Sequence, residues 1–283
     1  MSRKKRKQII IKKILLHSFF VCLSFITLIP ILYTLSVSLN AQNELVSSNF
    51  SFLPSALTLK HYINLFTEKP LLLWFKNSLI LAISTLGLSL SIAIPTAYAF
   101  SRLKFKGNRS IFQGLILLNA FPAILSMFAI WKLMSGPVSL VNTRLGLVLI
   151  YAGTMAIFGI MNMKGYFDTI PKEIEEAARI DGSSEFQVIT KIVLPLAKPS
   201  IIVTSVLVLI YVWNEYIFSI TFMTGLEKFT LAVGLYSLQA GEMSGSWPLF
   251  AAAALLTSLP VLIVFLTIQK HMESGLTVGG VKA

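Results

Sequence analysis

Six stretches of this chain, roughly 14–39, 74–99, 112–134, 145–165, 199–224 and 249–269, are each long and apolar enough to cross a bilayer as a helix. Such a helix takes about 20 mostly apolar residues. The residues between the runs are too few for a soluble core, so the chain reads as an all-α integral membrane protein with six transmembrane helices. Composition agrees: 55% of residues are hydrophobic and 13% charged, against roughly 25% charged in soluble domains, and the mean hydropathy is +0.77. The first run follows Met-Ser-Arg-Lys-Lys-Arg-Lys, as in the n-region of a signal peptide. It is about twice the length of an h-region and no clean small-x-small cleavage site follows, so it reads as a retained helix.

The net charge of +12 does not point to nucleic acid, because that needs a basic face on a soluble fold. The basic residues fall instead in short segments beside the apolar runs and set topology. With both termini cytoplasmic, the inner segments hold eighteen Lys and Arg and the outer ones hold six: Lys60, Lys69, Lys76, Lys132, Arg144 and Lys228. The expected organisation is a basic cytoplasmic N-terminus (1–13), a six-helix domain (14–269) and a cytoplasmic tail (270–283). The outer segment 40–73 is long enough to hold a short helix and face a partner. Cys22 is the single cysteine, which excludes an internal disulfide or thiolate metal site.

One polar segment interrupts this pattern. Residues 168–198, between the fourth and fifth runs, carry ten charged side chains, too many for lipid, so they form a cytoplasmic platform. Pro171 suits the first position of a helix, and Glu173, Glu175 and Glu176 crowd its first turns, where the helix dipole favours negative charge. Ile174, Ala177, Ala178 and Asp181 share a narrow face of small residues that a helix or groove wall can approach closely. Gly182 ends the helix as a left-handed cap. Ser184 and Gln187 predict a capping box for a second helix, whose apolar positions are Phe186, Ile189 and Val193. Leu194-Pro195 closes it, and Pro199 opens the next span.

The pattern Glu176-Ala177-Ala178-x3-Gly182-x9-Ile192-x-Leu194-Pro195 resembles the EAA loop of bacterial ABC importer permeases. The resemblance implies that Glu176, Ala177, Ala178, Asp181, Gly182, Ile192, Leu194 and Pro195 belong to a coupling element seated in a cleft of an ATPase subunit. Further segments are similar to the carbohydrate branch of that family, and to the smaller subunit of maltose and maltodextrin permeases. They include Asn77-Ser78, Ala97-Tyr98-Ala99-Phe100-Ser101-Arg102, Phe121 to Ser126, Lys164 to Ile170, Thr230 to Gly234 and Gly275 to Lys282. By the same resemblance, Gly275, Thr277, Gly279, Gly280 and Lys282 form a second contact with the ATPases. Tyr211-Val212-Trp213-Asn214-Glu215-Tyr216 is nearer to a pattern common across sugar permeases than to the maltose-specific form.

Glu215 is the one ionisable side chain deep in a run. A charge there is costly and usually faces a cavity or a partner. Two readings stand: Glu215, with Asn214 and Tyr211, lines the translocation path or subunit interface, or Glu215 makes a structural hydrogen bond between helices. Asn119 and Pro122 in the third run suggest a bend, with or without a polar lining to the path. No phosphate-binding loop, catalytic constellation or metal-ligand cluster is present in the sequence. The chain is therefore expected to be a non-catalytic subunit without cofactor, with ATP and magnesium on the partner ATPase.

The resemblance implies a multi-pass subunit of the bacterial cytoplasmic membrane, importing oligosaccharides by alternating access with maltose and maltodextrin favoured. Its implied partners are a second homologous permease subunit, two ATPase subunits, an extracytoplasmic sugar-binding protein and membrane lipid. Another oligosaccharide or glycerol phosphate is the alternative cargo. A secondary transporter or channel is the alternative class, disfavoured by the lone intramembrane carboxylate.

Overall fold

Helix is the only regular structure among the described residues, apart from one isolated bridge between Asn40 and Leu57. The computed structural model describes residues 3–42, 54, 56–137, 139–240 and 246–278. These divide into two compact units, one drawn from 1–69 with 235–258 and the other from 70–234 with 259–283.

In the first unit, α1 (Arg3–Ser38) carries apolar side chains that are exposed from Ile10 to Leu32. The hydroxyls of Ser24, Thr27 and Thr34 turn back onto their own helix, Thr34 onto the Pro30 carbonyl at 2.8 Å. A helix apolar all round is suited to lipid or to other membrane helices. The segment after it holds α2 (Lys60–Thr67), the short helix anticipated there. Tyr62 OH and Ser38 Oγ lie 2.7 Å apart, and a His61 ring nitrogen lies 2.9 Å from the Asn40 carbonyl.

The second unit is built on α3 (Leu71–Arg102), α6 (Arg144–Phe167) and α10 (Lys198–Asn214). They approach closely where side chains are smallest. A Cβ on Gly159 would lie 2.9 Å from Ala93 Cβ and 3.4 Å from Thr204 Cγ2. Asn162 donates to Thr204 Oγ1 at 2.6 Å, which satisfies a polar pair within the helix packing. At the Leu71 end of α3, Asn77 donates to the Glu227 and Phe229 carbonyls and accepts from Arg144. Ser78 Oγ accepts from the Leu231 amide and Trp74 Nε1 donates to the Leu226 carbonyl. The loop around the 3-10 turn Leu226–Lys228 and the start of α12 (Leu231–Ala240), at Leu231, are thereby fixed to α3.

Among the described residues, four helices are long and apolar enough to cross a membrane, or up to six if each bent pair counts as one span. Four of the six anticipated runs are continuous, including α13 (Trp247–Val278), which extends past the expected end at 269. The other two are broken. The third run splits into α4 (Asn108–Ala120) and α5 (Ala123–Met134), bent by 97° at Phe121-Pro122. The residue before a proline is driven out of the helical region, and Phe121 is extended (φ −74°, ψ 128°). The fifth run stops at Asn214 and resumes as α11 (Ile217–Phe222) after an extended Glu215.

Candidate coupling site

The polar segment folds as anticipated in outline. α7 (Lys172–Ile180) starts one residue later than expected, with Pro171 as N-cap. Gly182 has φ +87°, the left-handed conformation expected of it. The Ser183 amide closes the turn on the Ala178 carbonyl at 3.0 Å. Ser184 and Gln187 form the capping box that opens α8 (Glu185–Gln187). Across this turn Arg179 grips the Glu185 carboxylate with two hydrogen bonds of 2.6 and 3.1 Å. Those bonds hold the carboxyl below its ordinary range and push the guanidinium up.

The second helix is not a plain α-helix. It widens into a π turn at Val188–Val193, tightens again in α9 (Leu194–Leu196), then bends 71° into α10. Proline in a helix interior clashes with the carbonyl four residues before it, here Lys191, and the wide turn spans that carbonyl. Ile192 and Leu194 are half-buried against the core that Val188, Val193, Ala197 and Ile160 share with α3. Pro195 is exposed.

Two faces of α7 differ sharply. Of the predicted narrow face, Ala178 alone is buried, while Ile174, Ala177 and Asp181 are exposed. Glu176 and Gly182 are exposed with them. Ile180, at 87% exposure, and Phe186, at 75%, leave large apolar side chains open on either side of the turn. Helical spacing groups Phe186 with Ile189 and Val193, and the motif leaves Ile180 out. Their signal was an apolar residue on each side of the glycine in an otherwise charged segment. Isolated exposed apolar residues are ordinary, but these two flank a left-handed glycine with small and acidic neighbours and form one compact exposed tip.

The inward face carries a residue that the motif did not single out. Glu175 is buried and accepts from Arg102 Nε at 2.6 Å and from Tyr98 OH at 3.2 Å. Arg102 also donates to the Ile170 carbonyl at 2.9 Å. A cleft of ≈ 540 Å³ opens beside this pair, lined among others by Ile94, Tyr98, Lys172, Glu176 and Ile189.

Of the intramembrane candidates, Glu215 and Tyr211 are brought together around Tyr151 of α6. The Tyr151 hydroxyl donates to Glu215 and lies 2.8 Å from Ser219 Oγ. The Tyr151 and Tyr211 rings meet edge to face at 6.0 Å. Glu215 also accepts from the Phe218 and Ser219 amides at 2.7 and 3.1 Å, so it caps α11 at the point where the fifth run breaks. The geometry found is the hydrogen bond between helices. Asn214 is exposed and donates to its own helix at Ile210, and Asn119 and Pro122 are exposed at the α4–α5 break. Gly275 and Thr277 fall in the last turns of α13, and Gly279, Gly280 and Lys282 lie outside the described residues.

Glu215→Ala strips the acceptor from two amides and a hydroxyl in a buried site. The expected loss is ~3 kcal/mol or more, seen as a lower unfolding temperature of the detergent-purified protein. Glu215→Gln keeps an acceptor oxygen and is expected to lose less than half as much. Equal stability of the alanine variant and the parent would show that the cap carries no weight.

Residues 89–278 match the family described as binding-protein-dependent transport system inner membrane component. The chain is 35% identical over 272 residues to the galactooligosaccharides transport system permease protein GanQ of Bacillus subtilis (strain 168), covering 93% of this chain and 94% of the relative. It is 33% identical to the maltodextrin transport system permease protein MdxG of the same strain, covering 96% and 97%. It is 32% identical to the maltose/maltodextrin transport system permease protein MalG of Yersinia pestis, covering 95% and 93%. A subunit in the crystal structure of a bacterial ABC transporter that imports the acidic polysaccharide alginate superposes with a TM-score of 0.75 at 26% identity, covering 95% of this chain and 98% of that one.

Proposed function

Because the chain belongs to the family of inner membrane components of binding-protein-dependent transport systems, we propose that it imports oligosaccharides, with maltodextrins as the favoured cargo. It is a multi-pass, non-catalytic permease of the cytoplasmic membrane in an ABC sugar importer. A sugar-binding protein delivers the cargo, a second permease subunit completes the path, and ATPase subunits supply the energy. The cytoplasmic placement of the platform rests on the excess of Lys and Arg on its side of the membrane.

The observation that carries this reading is the tip made by α7 and the Gly182 turn. Glu176, Ala177 and Gly182 present small and acidic groups outward, and Ile180 and Phe186 give the apolar anchors a docked helix needs. The tip seats in the ATPase, and its displacement alternates the spans between outward and inward access. The terminal segment around Gly279, Gly280 and Lys282 is a second ATPase contact.

Maltodextrin is favoured by the Phe121 to Ser126 and Gly275 to Lys282 segments, which resemble those of maltose permeases. Similarity to GanQ favours galacto-oligosaccharides as the second reading. Uptake of labelled maltotriose and labelled galactotriose by cells lacking this chain, with and without the gene restored, separates them. Maltotriose uptake is expected to be lost and regained with the gene. Loss and recovery of galactotriose uptake alone would move the assignment to the second reading.

A further inference from the structure

The Tyr98-to-Arg102 segment matched the family pattern without a role in the sequence reading, and the structure supplies one. Arg102, in the last turn of α3, holds three points of the platform at once. It donates to the Glu175 carboxylate on α7 and to the Ile170 carbonyl ahead of α7. Through Ser101 Oγ, which accepts from Arg102 at 3.0 Å and donates to Asp168 at 2.6 Å, it reaches the end of α6. Tyr98, one turn back on α3, is the second donor to Glu175. The side chains of Arg102 and Glu175 are only 6% and 2% exposed.

Burying an ion pair is a poor route to stability, since apolar replacements of the same volume are often as stable. What such a pair does supply is direction: a charge-assisted hydrogen bond with a fixed fork geometry tolerates little sliding. α7 faces solvent along its outer side, and this pair fixes its inner side to a spanning helix.

We propose that Arg102 and Glu175 form a strut that makes α7 and α3 move as one body, with both acting as positioning residues. The force received at the outward tip then goes straight into α3, besides the route through the π turn into α10. This rests on the permease reading above. It also divides the labour between neighbouring glutamates: Glu176 faces the ATPase and Glu175 faces the membrane helices.

The test compares Glu175→Gln with Gly182→Asp in cells whose only copy is tagged. The ATPase retained on the purified tagged chain and the initial rate of labelled maltotriose uptake are read together (galactotriose where the parent imports that instead). Glu175→Gln is expected to retain the ATPase at the parental ratio. Its maximal uptake falls about tenfold, within the usual span of coupling between linked sites, with the half-saturating sugar concentration unchanged. Arg102→Lys keeps a cation but not the fork, and recovers part of the uptake that Arg102→Met loses. Parental uptake in Glu175→Gln, or uptake falling only in step with retained ATPase, would overturn the strut. Where Glu175→Gln fails to insert, the Arg102→Lys and Arg102→Met pair decides by the same ratio. Failure of the underlying reading looks different: Gly182→Asp would then retain its ATPase in full.

Discussion

Gly182→Asp is expected to yield a protein that inserts and folds normally but sheds its ATPase. A Cβ at residue 182 meets nothing within 4 Å in this chain, so the substitution causes no internal clash. The cost inside the chain is the left-handed backbone, φ +87°, about 1 kcal/mol for a residue with a Cβ and eased for aspartate by its short polar side chain. The cost outside is larger. Gly182 is exposed at the end of the proposed docking tip, directly after Asp181, on the turn that follows the helix carrying Glu176. A further carboxylate there both fills the space a groove wall would occupy and adds a like charge at the seat. Like-charge placement in an interface costs several kcal/mol, so retained ATPase is expected to fall by roughly thirtyfold or more. Affinity purification through a tag on this chain, with quantification of the co-purifying ATPase, reads the effect. Full retention and normal uptake would remove the Gly182 turn from the coupling role.

Gly234→Ala is expected to be among the most damaging small substitutions in the second unit. A Cβ there would lie 2.2 Å from Trp74 Cδ2 and Cε3. Trp74 has nowhere to go: it is 2% exposed and its ring nitrogen is bonded to the Leu226 carbonyl at 3.0 Å. Overpacking of this kind costs about 3 kcal/mol, and the loop between α11 and α12 shares the strain because Asn77 and Ser78 hold it to the same helix. The unfolding temperature in detergent is expected to drop by about 5 °C or more. Trp74→Leu combined with Gly234→Ala is expected to recover part of the loss, since the two sites are in contact and couple. Additive losses in the double variant would show that the ring is not the obstacle.

What could be read in the sequence follows from how local its causes are. The Gly182 cap, the Ser184–Gln187 box and the Pro199 start each depend on a few consecutive residues, and all appear where expected. The continuous spans were legible because length and hydropathy alone decide them. The inward turn of Glu175 was not, because its partner Arg102 is 73 residues away, and Arg179, which pairs with it at i+4 within α7, would suit an exposed ion pair equally well. The same holds for Phe186, which helical spacing assigns to the face of Ile189 and Val193 until the π turn changes the phase. Pro122 signalled a bend, but the size of 97° depends on packing around the break. Glu215 stood out as an intramembrane carboxylate, whereas its role as a cap requires knowing that the helix stops there.

The measurement that tests the central claim most directly is sugar uptake into proteoliposomes made from the complex purified through this chain, with the sugar-binding protein outside. With ATP and magnesium enclosed at the platform side, labelled oligosaccharide is expected to accumulate. It is expected to stop when ATP is omitted or when the chain carries Gly182→Asp. Uptake that follows an ion gradient and proceeds without ATP would contradict the account and make this chain a secondary transporter.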